Sequence, residues 1–456
     1  MSLPSIHSPI PGPQSRQLAE RLRQVESPGI TYLADDFPVF WERAQGANIW
    51  DVDGNCYLDL NSAFGVAGFG HSHPKIASAL ASQVLQLVHG MGDVHPPRLK
   101  VEFLEKLQSI LPSQLSHMIM SCNGSDACES ALKTAQLYTG KPGVIAFEFG
   151  YHGLGYGALD LTHKPHFRSP FEKRLTEYTY HAPYPNPLRH GANALHNSLE
   201  AVREILDQKF REIGAIIVEP IQGRGGVIVP PKGFLAGLRE ICNEYGLLLI
   251  LDEIYTGFGR TGRLFAFEHE QILPDLLCLG KAIGGGLPLS LCIGSAEVMR
   301  AWKASNGEAI HTSTFLGNPL ACVAGLIILD DLRNHNWVQR NHQTGEEFLA
   351  KLKTLNSPFI GEVRGKGMML GVELVKDKNT LEPYTDLANF ILTEGLRKGL
   401  ILLTSGSQGQ VLSISPPFMI SRAEIDFAVG TLQELLDHGK VKLAPTIDNQ
   451  PIYTLN

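Results

Sequence analysis

A chain of 456 residues, 43% of them hydrophobic, can bury a large core and form two or three domains, or one large and one small. Its 39 basic and 46 acidic residues are interspersed and leave a net charge of −7, which excludes a basic face for nucleic acid and a polybasic patch for a membrane. No apolar run approaches the length of a membrane span, the N-terminus lacks the regions of a signal peptide, and the seven cysteines form no CxxC pair; a cytoplasmic, metal-free globular protein with small buried thiols is expected.

The first thirteen residues are proline-rich and read as a loose arm, followed by a short helix from Gln14 to Val25. Segment 40–60 alternates apolar and polar residues on both sides of Asp53-Gly54, a strong two-residue hairpin signal. Helical patterns start at His73-Pro74 and run from Pro97 through Ile110. From about residue 117 short apolar strands alternate with amphipathic helices, the pattern of a mostly parallel α/β sheet with helices on both faces. The strands fall at 117–122, 143–147, 214–219, 247–252, 275–279 and 290–294. Helices fall at Leu195–Leu206, Pro231–Tyr245 and Pro319–Leu332. After the polar break at 333–336 come a charged helix, strands at 360–365, 368–373 and 411–415, and a last helix opened by the capping box Ser421 to Glu424 and ending before Gly439. The expected division is an N-terminal arm and small sheet (1–70) joining the small domain, a large domain (71–334) and a smaller α+β domain (335–456).

In open α/β sheets ligands sit at the carboxyl ends of the strands, so the residues just after each apolar run matter most. Strand 117–122 runs into Asn123-Gly124-Ser125-Asp126 and a helix, which offers free backbone N–H groups and a dipole to a phosphate. Strand 143–147 leads to Tyr151-His152-Gly153, and strand 247–251 to Asp252-Glu253. Strand 275–279 leads to Lys281, set between an apolar run and a glycine triplet. A lysine kept from water loses preference for the charged form and becomes a candidate nucleophile toward carbonyls. Singly, each has a plain structural reading: a helix cap, a packed loop, an N-cap, a solvated lysine. GFGRTG at 257–262 lacks the following helix of a dinucleotide fingerprint, and Gly280-Lys281 lacks the other positions of a Walker A loop, so nucleotide binding is disfavoured.

Together these residues resemble the class III, or ω-aminotransferase, family of fold type I pyridoxal-phosphate enzymes. The resemblance spans about 40–420 through GHSHPKI, NGSDACESALK, YHG, EPIQGRGG, LDEIYTGFGRTGRL, PDLLCLGKAIGGGLPL, STFLGNPLA and ISPPF. It implies pyridoxal 5′-phosphate as cofactor, with Lys281 as the Schiff-base lysine that also moves the Cα proton and Asp252 as the partner of the pyridine nitrogen. Gly124 and Ser125 match the phosphate turn, Tyr151 the aromatic on one ring face and Ile254 the cover of the other. Glu219 and His152 would stand behind these groups. Thr314 matches a threonine that reaches the phosphate of a neighbouring subunit, which implies a homodimer or a dimer of dimers with shared sites.

Three positions depart from the common pattern. Tyr255 stands where the family often has a glutamine near the ring hydroxyl, and its phenol is expected to replace that hydrogen bond. Arg224 replaces a glutamate, and Ser413 replaces an arginine that clamps substrate carboxylates. Ordinary bidentate carboxylate recognition at Ser413 is therefore excluded, and Arg224 is expected to supply the positive charge from the other side, a solvated arginine on a loop being the alternative. The substrate pocket is expected near Phe64, Gly65 and Met91. The reading is an aminotransferase acting between an amine or amino acid and a keto acid or aldehyde; an amino acid or amino-lactam racemase on the same scaffold is the alternative.

Overall fold

The apolar runs that alternate with helices assemble into one sheet. A computed structural model describes residues 3–442. In the N-terminal part, β1 (Trp41–Gln45), β2 (Asn48–Asp51) and β3 (Cys56–Asp59) form an antiparallel meander. The main sheet follows with β4 (His117–Ser121), β5 (Gly143–Phe147), β6 (Thr179–Ala182), β7 (Ile213–Val218), β8 (Leu248–Asp252), β9 (Leu276–Leu279) and β10 (Ser290–Gly294). Its order is β4-β10-β9-β8-β7-β5-β6, and only β10 runs against its neighbours. The other carboxyl ends therefore share one rim.

These strands read as continuous apolar runs because both faces are covered. In β8, Leu249 and Leu251 enter one core while Leu248 and Ile250 enter the other; in β9, Leu277 and Leu279 oppose Leu276 and Cys278. Helices Ala194–Lys209 and Phe234–Tyr245 cover the first face with Val202, Leu206, Phe234, Leu238 and Ile241. Helix Gly124–Thr139 covers the second with Ala127, Cys128, Ala131 and Ala135, side chains small enough to let its backbone approach the sheet.

A third sheet joins β11 (Ile360–Lys366), β12 (Met369–Leu374), β14 (Leu403–Ser405) and β15 (Val411–Ile414) in the order β11-β12-β15-β14, all antiparallel. The two-residue β13 (Leu400–Ile401) instead pairs parallel with β3, tying the N-terminal meander to the C-terminal segment.

Several details differ from the sequence expectations. The N-terminal arm is held in place from residue 5: Ser5 and Cys56 exchange backbone hydrogen bonds of 3.0 and 2.9 Å, and Asn55 Oδ1 accepts from the amides of His7 and Ser8. Proline restricts the arm's conformations, so fewer contacts suffice to hold it. The last helix runs through Gly439 to Lys442, because the missing Cβ there makes room for Leu387 rather than ending the helix. Strands β1, β6, β13 and β14 are additional; most are short, and β1 presents mainly exposed polar residues. Among the described residues no helix is long and apolar enough to cross a membrane.

Candidate active site

The shared rim opens onto a cavity of about 1170 Å³ lined by residues from the ends of β4, β5, β7, β8 and β9. At the first end, Asn123 caps helix Gly124–Thr139 by accepting from the amide of Asp126 at 3.0 Å. The amides of Gly124 and Ser125 have no partner among the described residues, and they stand at the positive end of a sixteen-residue helix. A Cβ on Gly124 would come within 2.8 Å of Ile254 Cδ1, so glycine is what lets Ile254 lie over the turn.

After β5, Tyr151 donates its amide to Glu219 Oε1 at 2.9 Å, while Glu219 Oε2 accepts from Gly223 at 3.0 Å. One carboxylate thus joins the loops after β5 and β7. Burial raises the Glu219 carboxyl above its usual range, the positive His152 opposing this and Asp252 adding to it.

At the end of β8, Asp252 is 5% exposed, and its Oδ2 lies 2.7 Å from His152 Nδ1. Its Oδ1 accepts the amide of Ile254 at 3.1 Å. Burial alone would discharge His152, but the hydrogen bond and charge of Asp252 outweigh it and lift the imidazolium to about 10. His152 is therefore held as the imidazolium beside Asp252 at neutral pH. Cys128, read from sequence only as a buried hydrophobe, also takes part: its Sγ lies 3.6 Å from Asp252 Oδ2. Its sequence signal is position, one helical turn beyond Gly124.

Past β9, Lys281 adopts the left-handed conformation (φ 50°), sparsely populated for a non-glycine residue and a mark of a constrained site. Burial pushes its amine down to about 8, with Asp252 and Glu219 pulling it up and Arg224 and Arg260 pushing it further down. A second strained element is a left-handed turn over Ser62, Ala63, Phe64 and Gly65 (φ 49°, 46°, 61° and 83°). It is fixed by Ser62 Oγ donating to the Ser415 carbonyl at 2.5 Å and by the Ala63 amide donating to Asp59 at 3.0 Å. Nothing in the local sequence signals it.

Gly124, Ser125, Tyr151, His152, Glu219, Asp252, Ile254, Tyr255 and Lys281 all line this one cavity. Phe64, Arg224 and Thr314 do not. Phe64 is exposed on the left-handed turn, and Thr314 is exposed beside Ser313 and Phe315, which do line the cavity. Arg224 lies over the ring of Tyr151, its guanidinium 4.6 Å from the centroid. The Tyr255 phenol shares a 2.6 Å hydrogen bond with Ser415 Oγ, just past the end of β15. Ser413, at the missing clamp position, shares a 2.6 Å hydrogen bond with Ser405 Oγ.

These residues fit pyridoxal phosphate. Two unpartnered amides and a helix dipole suit a phosphate, a buried carboxylate suits a pyridinium, Tyr151 and Ile254 provide apolar covers, and a lysine with depressed basicity suits an aldehyde.

Comparison with known proteins agrees. Residues 32–436 match the sequence model of the family "Aminotransferase class-III". The chain is 37% identical over 400 residues to the acetylornithine aminotransferase of Methanopyrus kandleri, covering 88% of this chain and 95% of that one. It is 33% identical over 451 residues to the alanine/serine racemase of Pyrococcus horikoshii, covering 96% and 93%. The amine transaminase of an uncultivated Pseudomonas species, solved in its PLP-bound form, superposes with a TM-score of 0.85 at 28% identity, covering 91% of this chain and 98% of that one. A racemase is therefore among the relatives of this chain, beside aminotransferases of equal or higher identity, and the family match does not favour the racemase reading. The chain belongs to the class III aminotransferases and is a pyridoxal-phosphate-dependent transaminase of fold type I.

Proposed function

We propose that this transaminase acts on a carboxylate-bearing amino donor or keto acceptor, and that Arg224 is the carboxylate anchor. The carrying observation is the state of the Arg224 guanidinium. It is stacked 4.6 Å from the Tyr151 centroid and 5.6 Å from that of Phe167, with no carboxylate partner among the described residues. Its backbone is fixed from the C-terminal segment: Gly406 donates to the Arg224 carbonyl at 2.9 Å, and Arg364 Nε donates to the Val227 carbonyl at 3.0 Å. A planar cation held on an aromatic face keeps its hydrogen-bonding edge available for bidentate contact.

The pyridoxal ring supplies an electron sink when bound. The chain supplies the rest. Lys281 moves a proton between two carbons on one side of the site, Asp252 is held in place by His152 to face the ring nitrogen, the Gly124 and Ser125 amides hold the phosphate, and Tyr151 and Ile254 confine the ring.

Arg224→Ala is expected to raise KM for amino acid donors by about 10–100-fold, the scale of one charge-assisted hydrogen-bonded contact, while KM for an uncharged monoamine stays constant. Steady-state kinetics on both donor types checks this, and equal KM values for wild type and variant on amino acids would remove Arg224 from substrate binding.

The same reading includes a homodimer. Leu85 is 87% exposed and Phe315 62%, and Val88, Met91 and Val94 are exposed as well. Segments 85–94 and 310–318 are joined by the His89–Phe315 ring contact at 5.4 Å and the Thr312 to Asp93 hydrogen bond at 2.8 Å. An apolar patch of this kind calls for a cover, and a second copy would bring Thr314 to its partner's phosphate. Phe315→Asp is expected to halve the mass measured by light scattering and to reduce cofactor retention; a monomeric wild type would overturn the dimer.

A further inference from the structure

The amine of Lys281 stands over an aromatic face: Nζ lies 3.9 Å from the centroid of the Tyr255 ring. That ring is held from several directions. Its hydroxyl shares the 2.6 Å hydrogen bond with Ser415 Oγ, at the end of β15. Gly65 and Gly223 lie against opposite edges: a Cβ at Gly65 would come within 2.5 Å of Cε2, and one at Gly223 within 2.7 Å of Cδ1. No larger residue fits either place unless the ring moves. The ring also packs with the apolar cluster of Ile221, Val227 and Met369. Three segments far apart in sequence thus aim one ring face at one amine.

We propose that Tyr255 is a positioning residue for Lys281: its ring face is the seat of the ε-ammonium whenever the amine is not bonded to cofactor, and it favours the protonated form. The proposal rests on Lys281 being the cofactor lysine and is independent of Arg224. The negative face of an aromatic ring attracts a cation and gains little from a neutral amine. The other charged groups acting on Nζ are Asp252 and Glu219, which favour the ammonium, and Arg224 and Arg260, which oppose it along with burial. Among these the ring is an uncharged group in direct contact with the nitrogen.

The consequence lies in proton transfer. Lys281 takes one proton from the substrate Cα, becomes an ammonium, and gives the same proton to the second carbon, returning to the amine. The ring stabilises only the state in between, so the proton is kept on Nζ rather than lost to water.

The test uses the full-length enzyme loaded with pyridoxamine phosphate, in which Nζ is unbonded. Competitive acetylation by acetic anhydride across pH, read by mass spectrometry on the Lys281 peptide, reports the basicity of Nζ without measuring turnover. Tyr255→Leu is expected to lower it by about one pH unit, and Tyr255→Phe to leave it near wild type. The alkaline limb of the kcat profile should move down with it in the Leu variant while KM for the donor stays constant. Pentafluorophenylalanine at position 255, which keeps the shape and reverses the ring's electrostatics, should lower the basicity below that of the Phe variant even if the Leu variant does not fold. Equal values for the Phe and pentafluorophenylalanine proteins, or for the wild type and Leu variant, would overturn the proposal. As a control, the pyridoxal-phosphate form should protect Lys281 from labelling; undiminished labelling there would overturn the lysine assignment itself.

Discussion

Lys281→Ala is expected to leave a folded protein that binds pyridoxal phosphate without covalent attachment and turns over about 10⁴-fold more slowly or worse, since both a nucleophile and a general base are lost. The visible spectrum after gel filtration and single-turnover kinetics check this; activity above a tenth of wild type would exclude Lys281 from the reaction. The pH dependence has a stated sign. With its amine pushed down to about 8, Lys281 becomes increasingly neutral as pH rises through that value, and capture of the cofactor aldehyde should accelerate over the same interval. Stability follows the opposite logic from a favourable ion pair. The unfolded lysine binds its proton up to about 10.5 and the folded one only to about 8, so the lysine costs stability below pH 8 and the cost is relieved between the two values. Without cofactor at pH 7, the Ala variant should therefore melt at a higher temperature than the wild type, as expected of a site that trades stability for reactivity.

Asp252→Asn is expected to lower kcat by about 10²–10³-fold, the scale of removing one charge aimed at the reacting group. It should also destabilise the fold by about 3–5 kcal/mol, the cost of leaving one member of a buried ion pair alone. Both effects have the same origin. Asp252 offsets the burial of His152, and an amide oxygen 2.7 Å from Nδ1 could accept the same hydrogen bond but brings no charge to offset the imidazolium. With the pair intact, the folded imidazolium titrates at about 10 against 6.5 when unfolded, so its contribution is complete below 6.5 and disappears as pH rises through 10. The stability difference between wild type and variant should therefore shrink across that interval. Urea unfolding at pH 6 and pH 9.5 checks it, and a constant difference would mean that the carboxylate stabilises the fold by another route.

The residues that line the cavity were legible because strand-end residues sit beside periodic signals. The runs from β7 to β9 are apolar on both faces, which marks buried parallel strands, and Glu219, Asp252 and Lys281 follow those runs directly. A parallel sheet brings such ends to one rim, so local pattern and topology together predict their meeting. Asn123 to Asp126 were legible for the same reason, a strand ending in a capped helix.

The antiparallel direction of β10 was not legible, since an apolar strand of five residues has the same composition in either direction. Nor was the left-handed turn at Ser62 to Gly65: three of its four residues have side chains that disfavour it, and it is held by nearby Asp59 together with distant contacts from Arg260 and Ser415. Arg224 was recognised as a changed charge, but its stacking on Tyr151 and Phe167 depends on loops that meet only in the folded chain.

By itself the sequence determined which groups line the cavity: a lysine, an acid, a glycine-serine turn at a helix start and a tyrosine, each specified by residue type and by a few neighbours. Only the tertiary structure decided what each group faces. Tyr255 became a platform for Lys281 because Gly65, Gly223 and Ser415 converge on it, a placement set by the packing of three separate segments rather than by any pattern along the chain.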